Sequence, residues 1–200
     1  MHSEYLVHLA AFWIIYSFFG WIIETVYCRV LDGHFTKRGF LIGPFVPIYG
    51  FGALIILLCL DKYIQNLFLV FILGLILTST LEYITSYFME MFLKLKLWDY
   101  SGHFMNINGR VCLLNSTLFG LLCVLLVGFI QPHVKEFVES INFGLLSAIV
   151  MIFVLTMGTD FFYSILGALA LKNRLLDLDA LDKKIKAYSQ NEKEKREKSL

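Results

Sequence analysis

Long uncharged runs dominate the first 171 residues of the chain, and five of them approach the roughly 20 residues that a helix needs to cross a bilayer core. We predict transmembrane helices over about residues 5–30, 39–60, 63–93, 111–131 and 140–171. The last run exceeds one crossing, so we expect it to tilt or to continue past the membrane surface. The pattern predicts an all-α integral membrane protein, a bundle of five transmembrane helices.

Composition agrees with this assignment. Of the 200 residues, 58% are hydrophobic and 16% are charged, and the mean hydropathy is +0.71, whereas about a quarter of the residues in a soluble domain are charged. The 17 Lys and Arg residues are balanced by 16 Asp and Glu, which argues against a nucleic-acid partner. The lipid bilayer is therefore the first partner that the sequence predicts.

Motifs for metal, redox and nucleotide chemistry are missing from the sequence. The four cysteines lie in or beside apolar runs without a CxxC pair, so we expect them to be reduced. The chain has no GxxxxGK[ST] loop and therefore does not hydrolyse ATP by that route, and it has no GxSxG or HExxH motif. We predict no metal site and no cofactor.

The distribution of Lys and Arg predicts the orientation of the chain. With the N-terminus outside, 15 of the 17 Lys and Arg residues fall on the inner side, and only Lys62 and Lys135 fall outside. Because Lys and Arg favour cytoplasmic loops, we predict a multi-pass cell-membrane protein with its N-terminus outside and its C-terminus in the cytoplasm. The first apolar run is too long and too aromatic for a cleavable signal peptide, so we expect that helix to be retained.

Residues 172–200 form a charged tail. Leucines and Ile185 recur there at roughly helical spacing between charged residues, which predicts an amphipathic cytoplasmic helix with a frayed end. Its lysines suit a membrane surface or a docked partner. A merely solvated end fits the same pattern.

The two predicted inner loops resemble each other. Both contain Gly-His-Phe, at residues 33–35 and 102–104, followed by a Gly/Arg pair that opens the next helix. Two copies of a helical hairpin would explain this similarity. An even number of helices separates the copies, so the repeats would be parallel.

Carboxylates at membrane depth are the first candidates for a site, because an ionisable group in hydrocarbon costs at least a few kcal/mol and usually has a partner. Helical spacing places them on polar stripes of helices one, three and five, which together outline an inward-facing polar cleft. Arginines open helices two and four on the same side. Two roles fit these charged residues. They could form structural contacts between the hairpins, or they could form a site for a charged ligand, a proton or a polar lipid head.

The binding candidates for a solute or ion are Glu24, Glu82, Glu90, Arg38, Arg110 and Asp160. The supporting candidates are Ser17, Ser86, Tyr49, Asp99, Asn106, Asn108 and Asn115. We assign no catalytic residue. Glycines and prolines crowd residues 39–52, which fits either a broken or re-entrant start of helix two or close helix packing.

Two groups of motifs resemble a known family. The first comprises YSFFGWIIET at 16–25, RGFLIGP at 38–44 and PIYG at 47–50. The second comprises LEY at 81–83, WDYS at 98–101 and NINGR at 106–110. Together they resemble the bacterial ABC-transporter type IV proteins, also described as CmpB-like permeases, over roughly residues 12–125.

The resemblance implies a small polytopic protein of the bacterial inner membrane, assigned to transport. It implies a permease component that forms a homodimer and recruits a separate nucleotide-binding ATPase subunit. Two other functions fit the residues. One is a membrane-embedded enzyme acting on a lipid or lipid-linked substrate at the inner leaflet, with paired carboxylates as acid and base. The other is a non-catalytic scaffold or regulator.

Overall fold

The computed structural model describes residues 2–32 and 39–198, so Arg38 lies outside the described residues. Six α-helices make up most of this part of the chain, and it contains no β-strand. They are α1 His2–Asp32, α2 Pro47–Leu60, α3 Leu67–Leu93, α4 Leu113–Leu125, α5 Gln131–Ser140 and α6 Phe143–Lys198.

Within residues 2–32 and 39–198, four helical segments are long and apolar enough to cross a membrane: Ser3–Tyr27, Leu67–Leu93, Leu113–Ser140 and Phe143–Lys186. This finding confirms an all-α membrane protein. The second predicted crossing is different, because α2 has only 14 residues and is about 21 Å long at 1.5 Å per residue. That is shorter than the bilayer core, so helix length alone supports four crossings rather than five.

Helix two begins at Pro47, not near Gly39 as the apolar run suggests. Proline suits the first turn of a helix, since its φ is already helical and its missing N–H would have no helical partner there. Upstream, Gly39 has a positive φ of 90°, and Pro44 disfavours helical geometry at Gly43. Residues 39–46 are therefore irregular.

The other helix ends also differ from the apolar runs. Gln131 and Pro132 do not end the fourth crossing, because a π-helical turn over Leu126–Ile130 joins α4 to α5 and places the proline in the first turn of α5. The tail is not a separate helix either. It continues α6, which has 56 residues and is about 84 Å long.

The first four helices form two hairpins of the same design. In each, a long first helix is paired with a short second helix of 14 or 13 residues, and the described residues between them, 39–46 and 94–112, are non-helical. In the first hairpin, the N–H of Val46 donates to the carbonyl of Ser17, at 3.0 Å, about halfway along α1. The segment before α2 therefore folds back along α1. The shared design fits the predicted parallel repeat, which stays a hypothesis.

Close packing holds each hairpin together. A Cβ on Gly50 of α2 would lie 2.3 Å from the Ser17 hydroxyl and 2.5 Å from the backbone oxygen of Trp13 on α1. In the second hairpin, a Cβ on Gly120 of α4 would lie 3.1 Å from the backbone oxygen of Phe71 on α3. Small residues at these crossings let the helices approach closely, as membrane bundles commonly require.

Candidate functional site

Residues 94–112 fold back along the last turns of α3. The N–H of Tyr100 donates to the carbonyl of Gly109 at 2.8 Å, which closes the loop. The Asn106 amide donates to the carbonyls of Ser101 and His103, and its oxygen accepts from the N–H of Gly109. Asn106 therefore shapes the loop from within, and its polar atoms are used in doing so.

Asp99 also serves the loop. Its Oδ1 accepts from the backbone N–H of Ser101 at 3.0 Å and from the hydroxyl of the same residue, and its Oδ2 pairs with Lys96 Nζ at 2.9 Å. The hydrogen bonds from Ser101, together with Lys96, hold the pKa of the Asp99 carboxyl well below its usual range. Asp99 is thus an ionised turn residue on the exposed rim of the loop.

Arg110 ties the loop to α3. Its Nη2 pairs with Glu90 Oε2 at 2.5 Å, and its guanidinium lies 5.5 Å from the ring centre of Tyr83 and 5.6 Å from that of Tyr87. The amide of Asn108 donates to the Tyr83 hydroxyl at 2.9 Å and adds a further contact between loop and helix. Glu90 and Arg110 thus form an ion pair, while the buried Nε of Arg110 has no hydrogen-bond partner among the described residues.

Glu82 lies deeper and has different partners. Its side chain is only 6% exposed, and its Oε1 accepts a hydrogen bond from the Tyr100 hydroxyl at 3.0 Å. Burial, reinforced by the Glu82 charge, raises the pKa of the Tyr100 hydroxyl far above its ordinary value, so the phenol stays protonated as a donor. Asn115, in the first turn of α4, lies close to this hydroxyl and acts in the opposite direction, lowering the pKa of Tyr100.

Two oxygens near the Tyr100 hydroxyl have no hydrogen-bond partner among the described residues: Oε2 of Glu82 and Oδ1 of Asn115. Both side chains are buried. We call Glu82, Tyr100 and Asn115 the inner polar cluster. Buried polar atoms in proteins almost always have a partner, so these two acceptors mark the cluster as a place where a ligand would gain contacts.

Neighbouring helices enclose the inner polar cluster. Ser79 on α3 and Ser116 on α4 join through their hydroxyls at 2.7 Å, and Ser86 is buried one turn from Glu82. Tyr49 on α2 stacks edge-on to Phe119 at 5.9 Å and lies near enough to influence the Tyr100 hydroxyl. The cluster therefore lies where the two hairpins meet.

Asp160 on α6 has a separate role. Its two carboxyl oxygens accept from consecutive backbone N–H groups, Ile42 at 2.8 Å and Gly43 at 2.7 Å. Ser17 contributes its backbone carbonyl to Val46, while its hydroxyl donates to the carbonyl of Trp13. These contacts supply the irregular segment before α2 with hydrogen bonds that a helix would otherwise provide.

The predicted carboxylates therefore fall into distinct polar contacts instead of joining in one cleft: Glu82 with Tyr100, Glu90 with Arg110, and Asp160 with the segment before α2. Glu24 is half-buried on α1 and has an interaction partner of its own. Arg38, opposite it in the prediction, lies outside the described residues. Among those residues, no group of three His, Cys, Asp or Glu side chains is arranged to hold a metal ion.

Sequence reasoning missed Tyr100 as a member of the site. It is a loop residue, and an aromatic residue at that depth is expected first of all to anchor the membrane interface. Helical periodicity says nothing about a residue outside a helix, so spacing could not relate Tyr100 to Glu82. Its position in the WDYS motif of the resemblance was the one available signal.

The fold and the cluster define a polytopic, all-α membrane protein with buried polar groups between two helical hairpins. A family model described as "Putative ABC-transporter type IV" matches residues 11–165, and the chain belongs to this family. No curated protein matches the chain. No solved structure matches it either.

Proposed function

We propose that the chain is the membrane-embedded permease component of an ABC-type transporter, which moves a small polar or charged solute. Membership of the ABC-transporter type IV family supports the class. The structural observation that carries the proposal is the break before α2, where Asp160 holds the N–H groups of Ile42 and Gly43.

A break of this kind is costly in a membrane unless it has a use. Backbone outside regular structure is tolerated at membrane depth only where protein or a cavity satisfies its polar groups. Transporters commonly build their solute sites from discontinuous helices for this reason. In this chain a carboxylate of α6 and a carbonyl of α1 satisfy the broken segment, so movement of either helix would expose it.

The proposed orientation places the N-terminus outside and the C-terminus in the cytoplasm of a bacterial inner membrane. Lys172 on α6 donates to the carbonyl of Phe92 at 2.9 Å, so the end of α3 and the start of the charged tail lie at the same level. The basic residues Lys94 and Lys96 follow α3 directly, and Arg110 lies later in the same loop. This arrangement supports a basic cytoplasmic side.

We further propose that two copies of the chain form the pathway and that a separate ATPase subunit docks on the cytoplasmic side. The loop offers a protruding apolar tip, since Phe104 is 79% exposed and Met105 is 64% exposed. The lipid-enzyme alternative is less well supported by the geometry, because Nη2 of Arg110 is already paired with Glu90 and its guanidinium lies against two aromatic rings.

Site-specific photo-crosslinking in the native membrane tests this proposal. A photoreactive phenylalanine analogue replaces Phe104, and the control replaces Phe129 on the π-turn between α4 and α5, which is 58% exposed. We expect an ATPase subunit to crosslink from position 104 and not from position 129. Absence of any ATPase at position 104, with a specifically retained lipid instead, would refute the permease proposal in favour of the lipid-enzyme alternative.

A further inference from the structure

We propose that the inner polar cluster binds a small monovalent cation through oxygen atoms. The inference deepens the proposed transport function, on which its physiological meaning rests. It starts from the two buried acceptors, Oε2 of Glu82 and Oδ1 of Asn115, which have no hydrogen-bond partner among the described residues. Their side chains are 6% and 8% exposed, so water at the protein surface does not reach them readily.

Hydrogen bonding fixes which atoms face the ligand. The Tyr100 hydroxyl gives its proton to Glu82 Oε1, and the Asn115 side chain lies close to the same hydroxyl. Oδ1 of Asn115 has no hydrogen-bond partner among the described residues, and an amide oxygen can only accept. When Glu82 is ionised, both remaining oxygens accept and neither donates, which disfavours an anion and suits a cation, including a donor such as ammonium.

The local charge selects a monovalent ion. Glu82 is the one carboxylate of the cluster, and the other polar groups described on the adjoining turns of α2, α3 and α4 are the neutral side chains of Tyr49, Ser86, Ser79 and Ser116. The nearest arginine on the loop, Arg110, is paired with Glu90. One negative charge balances one monovalent charge, whereas Ca²⁺ sites use several carboxylates and six to eight oxygen ligands.

Thermal unfolding of the purified full-length protein in detergent measures binding without any transport. Choline chloride is replaced stepwise by NaCl, KCl or NH₄Cl at constant ionic strength, and the midpoint Tm is recorded. A ligand that binds only the folded state raises Tm in a saturable way. We expect a saturable rise with at least one of these ions, and the three salts show which cation the site prefers.

Substitutions locate the effect. Glu82→Gln should abolish the cation-dependent rise, and Asn115→Leu should weaken the apparent affinity at least tenfold. Glu139→Gln is the matched control, because this glutamate is exposed on α5 and pairs with Lys135, and it should leave the rise unchanged. If Glu82→Gln does not fold, Asn115→Asp serves instead. Its second carboxylate should shift the response towards Ca²⁺.

Two results would overturn the inference. One is a wild-type Tm that does not depend on the cation at constant ionic strength. The other is an equal rise in wild type and Glu82→Gln. The crosslinking experiment is independent of both results. A cation response without an ATPase crosslink would support the cation site and reject the permease proposal. An ATPase crosslink without a cation response would reject the cation site alone.

Discussion

Removal of the Asp160 carboxylate should destabilise the protein and release the segment before α2. In the native structure Oδ1 and Oδ2 accept from the N–H groups of Ile42 and Gly43 at 2.8 and 2.7 Å. Asp160→Ala removes both acceptors, and Asp160→Asn keeps one acceptor while directing an NH₂ group at the second donor. Ser164→Ala removes only a 3.3 Å hydrogen bond to Oδ1.

The magnitudes follow from the number of donors left unpaired. Hydrogen bonds to charged groups contribute about 1.5–3 kcal/mol each, but bonds between membrane helices average about 0.6 kcal/mol, since the unfolded chain finds other partners in the bilayer. Because Ile42 is also exposed, we expect Asp160→Ala to lower the free energy of unfolding by about 2–4 kcal/mol. Asp160→Asn should cost roughly half as much, and Ser164→Ala under about 0.5 kcal/mol.

Two measurements check this series. Reversible unfolding in mixed micelles gives the free energies, and hydrogen exchange followed by mass spectrometry reports on the peptide containing residues 39–46. We expect the amides of Ile42 and Gly43 to exchange faster in both Asp160 variants than in wild type or Ser164→Ala. If Asp160→Ala unfolds with the wild-type free energy and its amides stay protected, the carboxylate does not hold the segment and the reasoning is wrong.

Two further predictions concern helix packing and the loop. Gly50→Ala should destabilise the protein by about 1–3 kcal/mol in the same unfolding assay, because its Cβ would lie 2.3 Å from the Ser17 hydroxyl. Gly158→Ala is the control. Nothing lies within 4 Å of its new Cβ, so this variant should be neutral or stabilising. Asp99 has a depressed pKa in the folded loop, so its stabilisation should be complete above the unfolded value of about 3.9 and decline as the pH falls below it. Asp99→Asn should remove that acid dependence from the Tm profile, and an unchanged profile would contradict the assignment.

The sequence predicted the membrane class well and the helix ends less well. Apolar run length reports the energetic cost of polar atoms in lipid, which is why the crossings at α1, α3 and α6 are recognisable. It cannot report where backbone hydrogen bonding changes inside an apolar segment. Residues 39–46 are as apolar as a helix, yet Gly39, Pro44 and the carboxylate of Asp160 make an irregular backbone stable there.

Helical periodicity predicted part of the candidate site, and the rest depends on contacts that only the fold creates. Spacing along α3 placed Glu82 and Ser86 on one face, and both are buried. It could not distinguish Glu82 from Glu90, although the first lies beneath Tyr100 and the second pairs with Arg110. That distinction depends on how residues 94–112 fold back along α3. The contacts that set this fold join residues too far apart in the sequence for helical periodicity to relate them.

The different partners of the two glutamates also bear on function. Glu90 is neutralised by Arg110 within its own hairpin, so it stabilises the loop without a further charged partner. Glu82 is held by a neutral phenol, which satisfies one oxygen without cancelling the charge. A buried carboxylate in that condition requires a proton or another cation. Asp160 is also held by neutral donors, but both of its oxygens accept hydrogen bonds. Among the membrane-depth carboxylates whose partners are described, Glu82 is therefore the one with a buried oxygen left for a bound ligand.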